Sequence, residues 1–251
     1  MAAPDWLTRR PIAHRGYHDI AAGRIENTLS AAEAAIRHNF PIECDLQRTS
    51  DDRVVVFHDD TLERLTTSSG PVERKPLSEL RAATFRGGDA RIPTLEELLD
   101  LVDGRVPLVI ELKSGFTGDR RLEAATAAIL TEYTGPAVVM SFDPASMTAM
   151  RRLAPGLPRG MLGDRFKAAD WPMLSALQRW TFATFAMAPA VLPSFVSYHV
   201  GSLPASPPLA LRHFFGLPLI TWTVRTARDR EIAKAWADQI TFEGFDPDAL
   251  G

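Results

Sequence analysis

Nine short apolar runs, each of strand length, punctuate the 251 residues and are separated mostly by stretches of strong helix formers. The runs are PIAH (11–14), PIECDLQ (41–47), RVVVFH (53–58), VPLVIELK (106–113), PAVVMSF (136–142), PRGMLG (158–163), PSFVSYH (193–199), LPLITWT (217–223) and QITFE (239–243). A strand that returns to the same sheet through a helix must lie parallel to its predecessor, so the alternation predicts an α/β protein with a parallel sheet. About eight such units, without a linker-like break in composition, fit a closed TIM (β/α)8 barrel better than an open doubly wound sheet. Residues 1–251 are accordingly read as one barrel domain.

The intervening segments carry helical signals. NTLSAAEAAIRHN (27–39) opens with Asn27 as an N-cap candidate, and Thr94 with Glu97 forms a capping-box pattern ahead of LEELLDLV. DRRLEAATAAILTEY (119–133) and ARDREIAKAWA (227–237) also read as helices. One segment departs from the rhythm. Residues 60–91 are polar and turn-rich, with a single short helix expected around LSELRAA, and read as an insertion off the barrel. Whether it serves substrate choice, subunit contacts or neither is open at this point. TFATFAMAPAVLPSF (181–195) reads as a buried helix leading into a strand, or as an apolar entrance, and the proline-rich 204–218 has no assigned role.

A net charge of -3 offers no basic field for nucleic acid and no polybasic patch for anionic lipid. The single cysteine, Cys44, sits among apolar strand residues and has no partner for an internal disulfide, which suits a reducing compartment. The N-terminal MAAPDWLTRR lacks an apolar signal core, and no run reaches about 18 apolar residues. The expectation is a cytoplasmic protein without a membrane span.

In a parallel barrel the polar residues at the ends of strands form the active face. His14 and Arg15 end the first run, Glu43 and Asp45 lie late in the second, His58 ends the third, and Glu111 and Lys113 close the fourth. Residues two apart on a strand share a face, so Glu43 stands beside Asp45 and Glu111 beside Lys113. Alone, each has an ordinary explanation: a solvated acidic face, a helix cap, a lysine reaching for water. Together, Glu43, Asp45 and Glu111 form an all-oxygen set suited to a divalent metal ion, Mg2+ or Ca2+, whose charge would offset their repulsion. Arg15 and Lys113 beside such an ion point to a phosphate ester, and His14 and His58 fit acid–base work near neutral pH.

These residues stand in motifs that resemble the glycerophosphodiester phosphodiesterase family: AHRG (13–16), ENT (26–28), IECDLQRTSDDRVVVFHDDTLERLT (42–66), IPTLEELL (92–99) and IELK (110–113), in family order. Looser matches follow in SF (141–142), TWTV (221–224) and QITFEGFDP (239–247). The resemblance implies a TIM barrel with a small insertion after the second strand. It implies a metal site at Glu43, Asp45 and Glu111, catalysis by His14 and His58, and substrate binding by Arg15 and Lys113. It also implies that Trp222 lines a glycerol pocket, beside the alternative of a core tryptophan. The implied reaction converts a glycerophosphodiester, a small-molecule substrate, to glycerol 3-phosphate and an alcohol. Ile25 replaces the family's usual proline before ENT, and Phe242-Glu243 replaces a common Thr-Asp pair, so no role passes to Glu243. Two rivals remain in view: a lysophospholipase D or sphingomyelinase-D-like enzyme on the same barrel, and a non-catalytic barrel that binds a phosphorylated ligand. Oligomeric state is not legible.

Overall fold

The computed structural model describes residues 2–250 and separates into two compact units, one formed by Ile12–Ala137 and the other by the chain on either side of it. The first unit contains β1 (Ile12–Ala13), α1 (Leu29–Arg37), β2 (Ile42–Arg48), β3 (Val54–Val56), α2 (Leu77–Ala82), α3 (Leu95–Val102), β4 (Leu108–Leu112) and α4 (Arg121–Glu132). β1 pairs parallel to β2 at Ala13 and Ile42, and β2 pairs parallel to β4 from Ile42–Leu108 through Leu46–Leu112. Both central strands are buried along nearly their whole length, as a sheet covered on both faces requires.

The third run departs from the expected pattern. β3 lies antiparallel to β2, with Leu46 opposite Val56 and Arg48 opposite Val54. Only residues 49–53 join the two strands, whereas a parallel return needs about a dozen. The turn closes with Thr49 N–H donating to Arg53 O at 2.9 Å and with Asp52 at φ +59°. This hairpin brings the end of the third run, and with it His58, back beside β2.

Helix starts follow the expected chemistry with one correction. Thr94 and Glu97 form the capping box of α3, but the N-cap of α1 is Thr28. Asn27 is instead in the left-handed region at φ +57° and spends its side chain on Asp45. The insertion carries α2, as expected at LSELRAA, and a small core: its Leu62, Leu65, Val72, Leu80 and Phe85 pack with Ile25, Val55, Phe57 and Ile92 from the flanking chain.

The second unit runs β5 (Ala137–Ser141), α5 (Pro144–Leu153), β6 (Arg159–Gly163), α6 (Ala176–Ala183), α7 (Ala188–Val191), β7 (Phe195–His199), α8 (Ser206–Phe215), β8 (Leu219–Val224), α9 (Ala227–Trp236) and β9 (Gln239–Phe242). β5 to β9 pair in chain order, each parallel to the next. The 181–195 segment does not contain a buried helix: it holds the end of α6, which buries none of its residues fully, and α7, which buries Val191 alone. Ahead of it on α6, Leu177 is 71% and Trp180 62% exposed. The proline-rich stretch forms α8, because prolines in the first turn need no amide partner, and Gly216 at φ +67° ends it. Among the described residues, no helix is long and apolar enough to cross a membrane.

Candidate active site

Strand register assembles the acids. Asp45 on β2 is paired with Glu111 on β4, and Glu43 lies two residues before Asp45 on the same face. All three side chains are buried, and one carboxylate oxygen from each lies within 4.8 Å of the others. Lys113 follows Glu111 by two residues, and its Nζ stands 3.1 Å from Glu111 Oε1 and 3.8 Å from Asp45 Oδ1.

The turn after β1 supplies the next layer. Gly16 takes φ +80°, and a Cβ there would come within 2.9 Å of the Ala31 backbone and side chain on α1, so only glycine fits this approach. Its N–H donates to Glu43 O at 3.1 Å. Arg15, itself left-handed at φ +53°, donates its backbone N–H to Glu43 Oε2 at 2.9 Å and places Nε 3.5 Å from Asp45 Oδ2. His14 Nε2 is 3.9 Å from Glu43 Oε2. Asn27 completes the support: its Nδ2 donates to Asp45 Oδ2 at 2.8 Å, and its backbone N–H donates to Arg15 O at 2.9 Å.

Two left-handed non-glycine residues joined by a hydrogen bond are a costly local geometry, and they sit directly against the acidic cluster.

The electrostatics separate the three carboxyls. Burial, together with Asp45 and Glu111 nearby, raises Glu43 well above the carboxylate range. Burial also pushes Glu111 up to about 7, with Lys113 opposing and Asp45 adding to the rise. Asp45 is buried too, but Lys113, His58, Arg15 and the Asn27 amide together hold it below its ordinary value. A cluster that must keep protons to relieve its own repulsion is matched to a doubly charged hard cation, which removes the same repulsion without protons. The donor set therefore fits a divalent metal, with oxygen ligands only.

His58 comes from the chain after β3. Gln47 on β2 anchors that chain, its Nε2 donating to Phe57 O at 3.0 Å and to Asp59 O at 2.6 Å. His58 Nδ1 lies 2.7 Å from Asp59 Oδ1; a carboxylate only accepts, so this contact places a proton on Nδ1. Burial lowers the His58 pKa despite the opposing pull of Asp45.

Seven of the eight expected site residues thus lie in the first unit around one acidic cluster. The eighth, Trp222, is on β8 of the second unit, half-buried, with its ring edge-on to Phe142 at 5.5 Å and to His199 at 5.1 Å. Residues not anticipated as part of the site are Glu26, Asn27, Asp59 and Arg64. Glu26 and Asn27 stood in view in ENT, but Asn27 read as a helix cap, and only a backbone angle reveals its other use.

The family model for the glycerophosphoryl diester phosphodiesterase family matches residues 14–245. The glycerophosphodiester phosphodiesterase of Caldanaerobacter subterraneus subsp. tengcongensis is 29% identical over 250 residues, covering 95% of each chain. YhdW of Bacillus subtilis is 34% identical over 186 residues, 70% of this chain and 72% of its own. Among solved structures, an Oleispira antarctica phosphodiesterase in complex with the product sn-glycerol-3-phosphate superposes with a TM-score of 0.76 at 21% identity, over 93% of this chain and 92% of its own. That likeness shows the fold to be the TIM (β/α)8 barrel expected from the alternation of strands and helices. With the family model spanning nearly the whole sequence, the chain belongs to the glycerophosphoryl diester phosphodiesterase family.

Proposed function

We propose that this protein hydrolyses glycerophosphodiesters to glycerol 3-phosphate and an alcohol in a metal-dependent reaction with histidine acid–base catalysis. The observation that supports it most is the buried triad of Glu43, Asp45 and Glu111 within 4.8 Å, flanked by Arg15 and Lys113. Glu43, Asp45 and Glu111 would hold one Mg2+ or Ca2+ ion, which when bound supplies positive charge to the phosphoryl oxygens. Arg15 grips the phosphate through its planar fork and Lys113 adds a compact charge. Trp222 offers an aromatic wall to the glycerol moiety.

His14 takes the proton of the attacking oxygen as the new P–O bond forms. His58, as an imidazolium whose Nδ1–H is fixed on Asp59, gives its Nε2 proton to the departing alkoxide as the old P–O bond breaks and is left neutral with the Nδ1 proton. Its lowered pKa makes the imidazolium a stronger acid while shrinking its share near neutral pH. The attacking oxygen is either water or the glycerol hydroxyl beside the phosphate, and trapping a cyclic phosphate in a time course discriminates between them. Residues 1–251 act in this proposal as one catalytic domain with 60–91 inserted, in the cytoplasm, where the lone buried thiol of Cys44 stays reduced.

The test is phosphomonoester release from a panel of glycerophosphodiesters. Activity should vanish with chelator and return with Mg2+ or Ca2+; chelator-insensitive turnover would refute the metal role. A second reading, hydrolysis of lysophospholipids, is favoured by the exposed Leu177 and Trp180 of α6, which offer an acyl chain an apolar surface. Faster turnover of a lysophospholipid than of glycerophosphocholine would favour it.

A further inference from the structure

We propose that Arg64, at the start of the 60–91 insertion, is a positioning residue that sets His58 and Arg15 in register, and that holding this arginine in place is the insertion's contribution to catalysis. The inference rests on the reading of His58 and Arg15 given under the proposed function.

The guanidinium of Arg64 bridges two carboxylates. Toward Asp59, Nε donates to Oδ2 at 2.5 Å and Nη2 to Oδ1 at 2.8 Å. Toward Glu26, Nη1 donates to Oε2 at 2.9 Å and Nη2 to Oε1 at 2.7 Å. Each carboxylate then holds one expected participant: Asp59 Oδ1 takes the Nδ1 proton of His58 at 2.7 Å, and Glu26 Oε1 accepts from Arg15 Nη1 at 2.6 Å. A single chain of charge-assisted hydrogen bonds therefore runs His58–Asp59–Arg64–Glu26–Arg15. Arg64, its middle member, hydrogen-bonds to the two carboxylates rather than to the two participants. A planar guanidinium suits this place because it satisfies two carboxylates at fixed angles, which an ammonium cannot do.

The apolar side of the insertion reinforces the chain residue by residue. Ile25, Phe57 and Leu65 all belong to the insertion's small core, and each immediately adjoins a member of the chain: Glu26, His58 and Arg64 respectively. Three separate backbone segments are thus clamped together by packing at the positions beside the polar links. Without Arg64 the Asp59 carboxylate would keep only its hydrogen bond to His58, and a carboxylate free to rotate orients an imidazole poorly. The core supplies location and the guanidinium supplies angle. The link this adds is between packing and catalysis, since nothing in the chain makes new contact with substrate.

The experiment measures steady-state hydrolysis of a glycerophosphodiester by Arg64→Ala and Arg64→Lys at saturating metal, beside the unaltered protein. The expected result for Arg64→Ala is a fall in kcat of roughly tenfold to a hundredfold, larger than any change in KM, as misplacement of a catalytic group by about 1 Å produces. Sub-denaturing guanidinium should restore part of kcat to Arg64→Ala, and equal urea should not. Arg64→Lys should retain most of the defect, because charge without the fork is insufficient. If Arg64→Ala does not fold, as judged by thermal unfolding, Arg64→Lys carries the test alone, and normal turnover by it overturns the proposal. For a folded Arg64→Ala, unchanged kcat or a defect that guanidinium fails to relieve also overturns it. An unaltered protein with no turnover on any glycerophosphodiester would instead defeat the underlying reading of the reaction.

Discussion

Replacing Glu111 with glutamine should stabilise the metal-free protein above neutral pH and destabilise the metal-loaded one. Glu111 is buried, and its carboxyl is pushed from 4.5 up to about 7. A carboxyl whose folded value exceeds its unfolded value keeps its proton longer when folded. The folded state therefore has its full advantage below pH 4.5 and loses it progressively as pH rises to about 7. At about 1.4 kcal/mol per pH unit, the ionised side chain costs the metal-free fold about 3 kcal/mol at pH 8. Glutamine keeps the shape of the protonated acid and cannot ionise, so Glu111→Gln avoids that cost.

At about 2–4 °C per kcal/mol for a chain of this size, the variant should melt roughly 6–12 °C above the unaltered protein in chelator at pH 8. By pH 5 most of the gap should close, because Glu111 is then protonated in the folded state. Mg2+ or Ca2+ at about 1,000 times its dissociation constant should reverse the order, since that adds about 4.1 kcal/mol to a protein that binds it, more than the variant's advantage. Calorimetric or circular-dichroism melting at the two pH values, with and without metal, reads all of this. A variant less stable than the unaltered protein in chelator at pH 8 would refute the repulsion argument; an unaltered protein that gains nothing from metal would refute the cation site.

Other expectations follow from the same geometry. His14→Ala and His58→Ala should each lower turnover by roughly two to four orders of magnitude without loss of fold, and near-normal turnover in both would remove them from the mechanism. Gly16→Ala forces a Cβ to within 2.9 Å of Ala31 at φ +80° and should cost about 2–5 kcal/mol in stability. A melting temperature unchanged in Gly16→Ala would show that α1 yields freely at this contact.

Much of the architecture is legible in the sequence because its signals are local. The runs at 41–47 and 106–113 read as strands and form β2 and β4, and Thr94 with Glu97 opens α3 as its spacing predicts. The misread elements depended on something nonlocal or on counting. The hairpin of β2 and β3 is foreshadowed only by the shortness of the 49–53 link, which the apolar content of RVVVFH obscures. Residues 181–195 carry the composition of a buried helix, yet the end of α6 and α7 within them bury only Val191, because composition does not state whether a covering element exists.

The site divides along the same line. Glu43 with Asp45, and Glu111 with Lys113, are pairs two residues apart on strands, so a period-two reading places each pair on one face; strand register then joins them through Asp45 opposite Glu111. Arg64 has no such rule. It lies five residues beyond Asp59 and 38 beyond Glu26, in a loop, and no periodicity carries one to the others. What unites them is packing: the apolar neighbours Ile25, Phe57 and Leu65 share one small core, so three polar side chains from unrelated backbone segments face the same point. The strands therefore determine which charges meet, whereas the insertion determines at what angle the histidine beside them is presented. A fold of this type can keep its acidic cluster while changing its insertion, and such a change would be expected to alter turnover before it alters metal affinity.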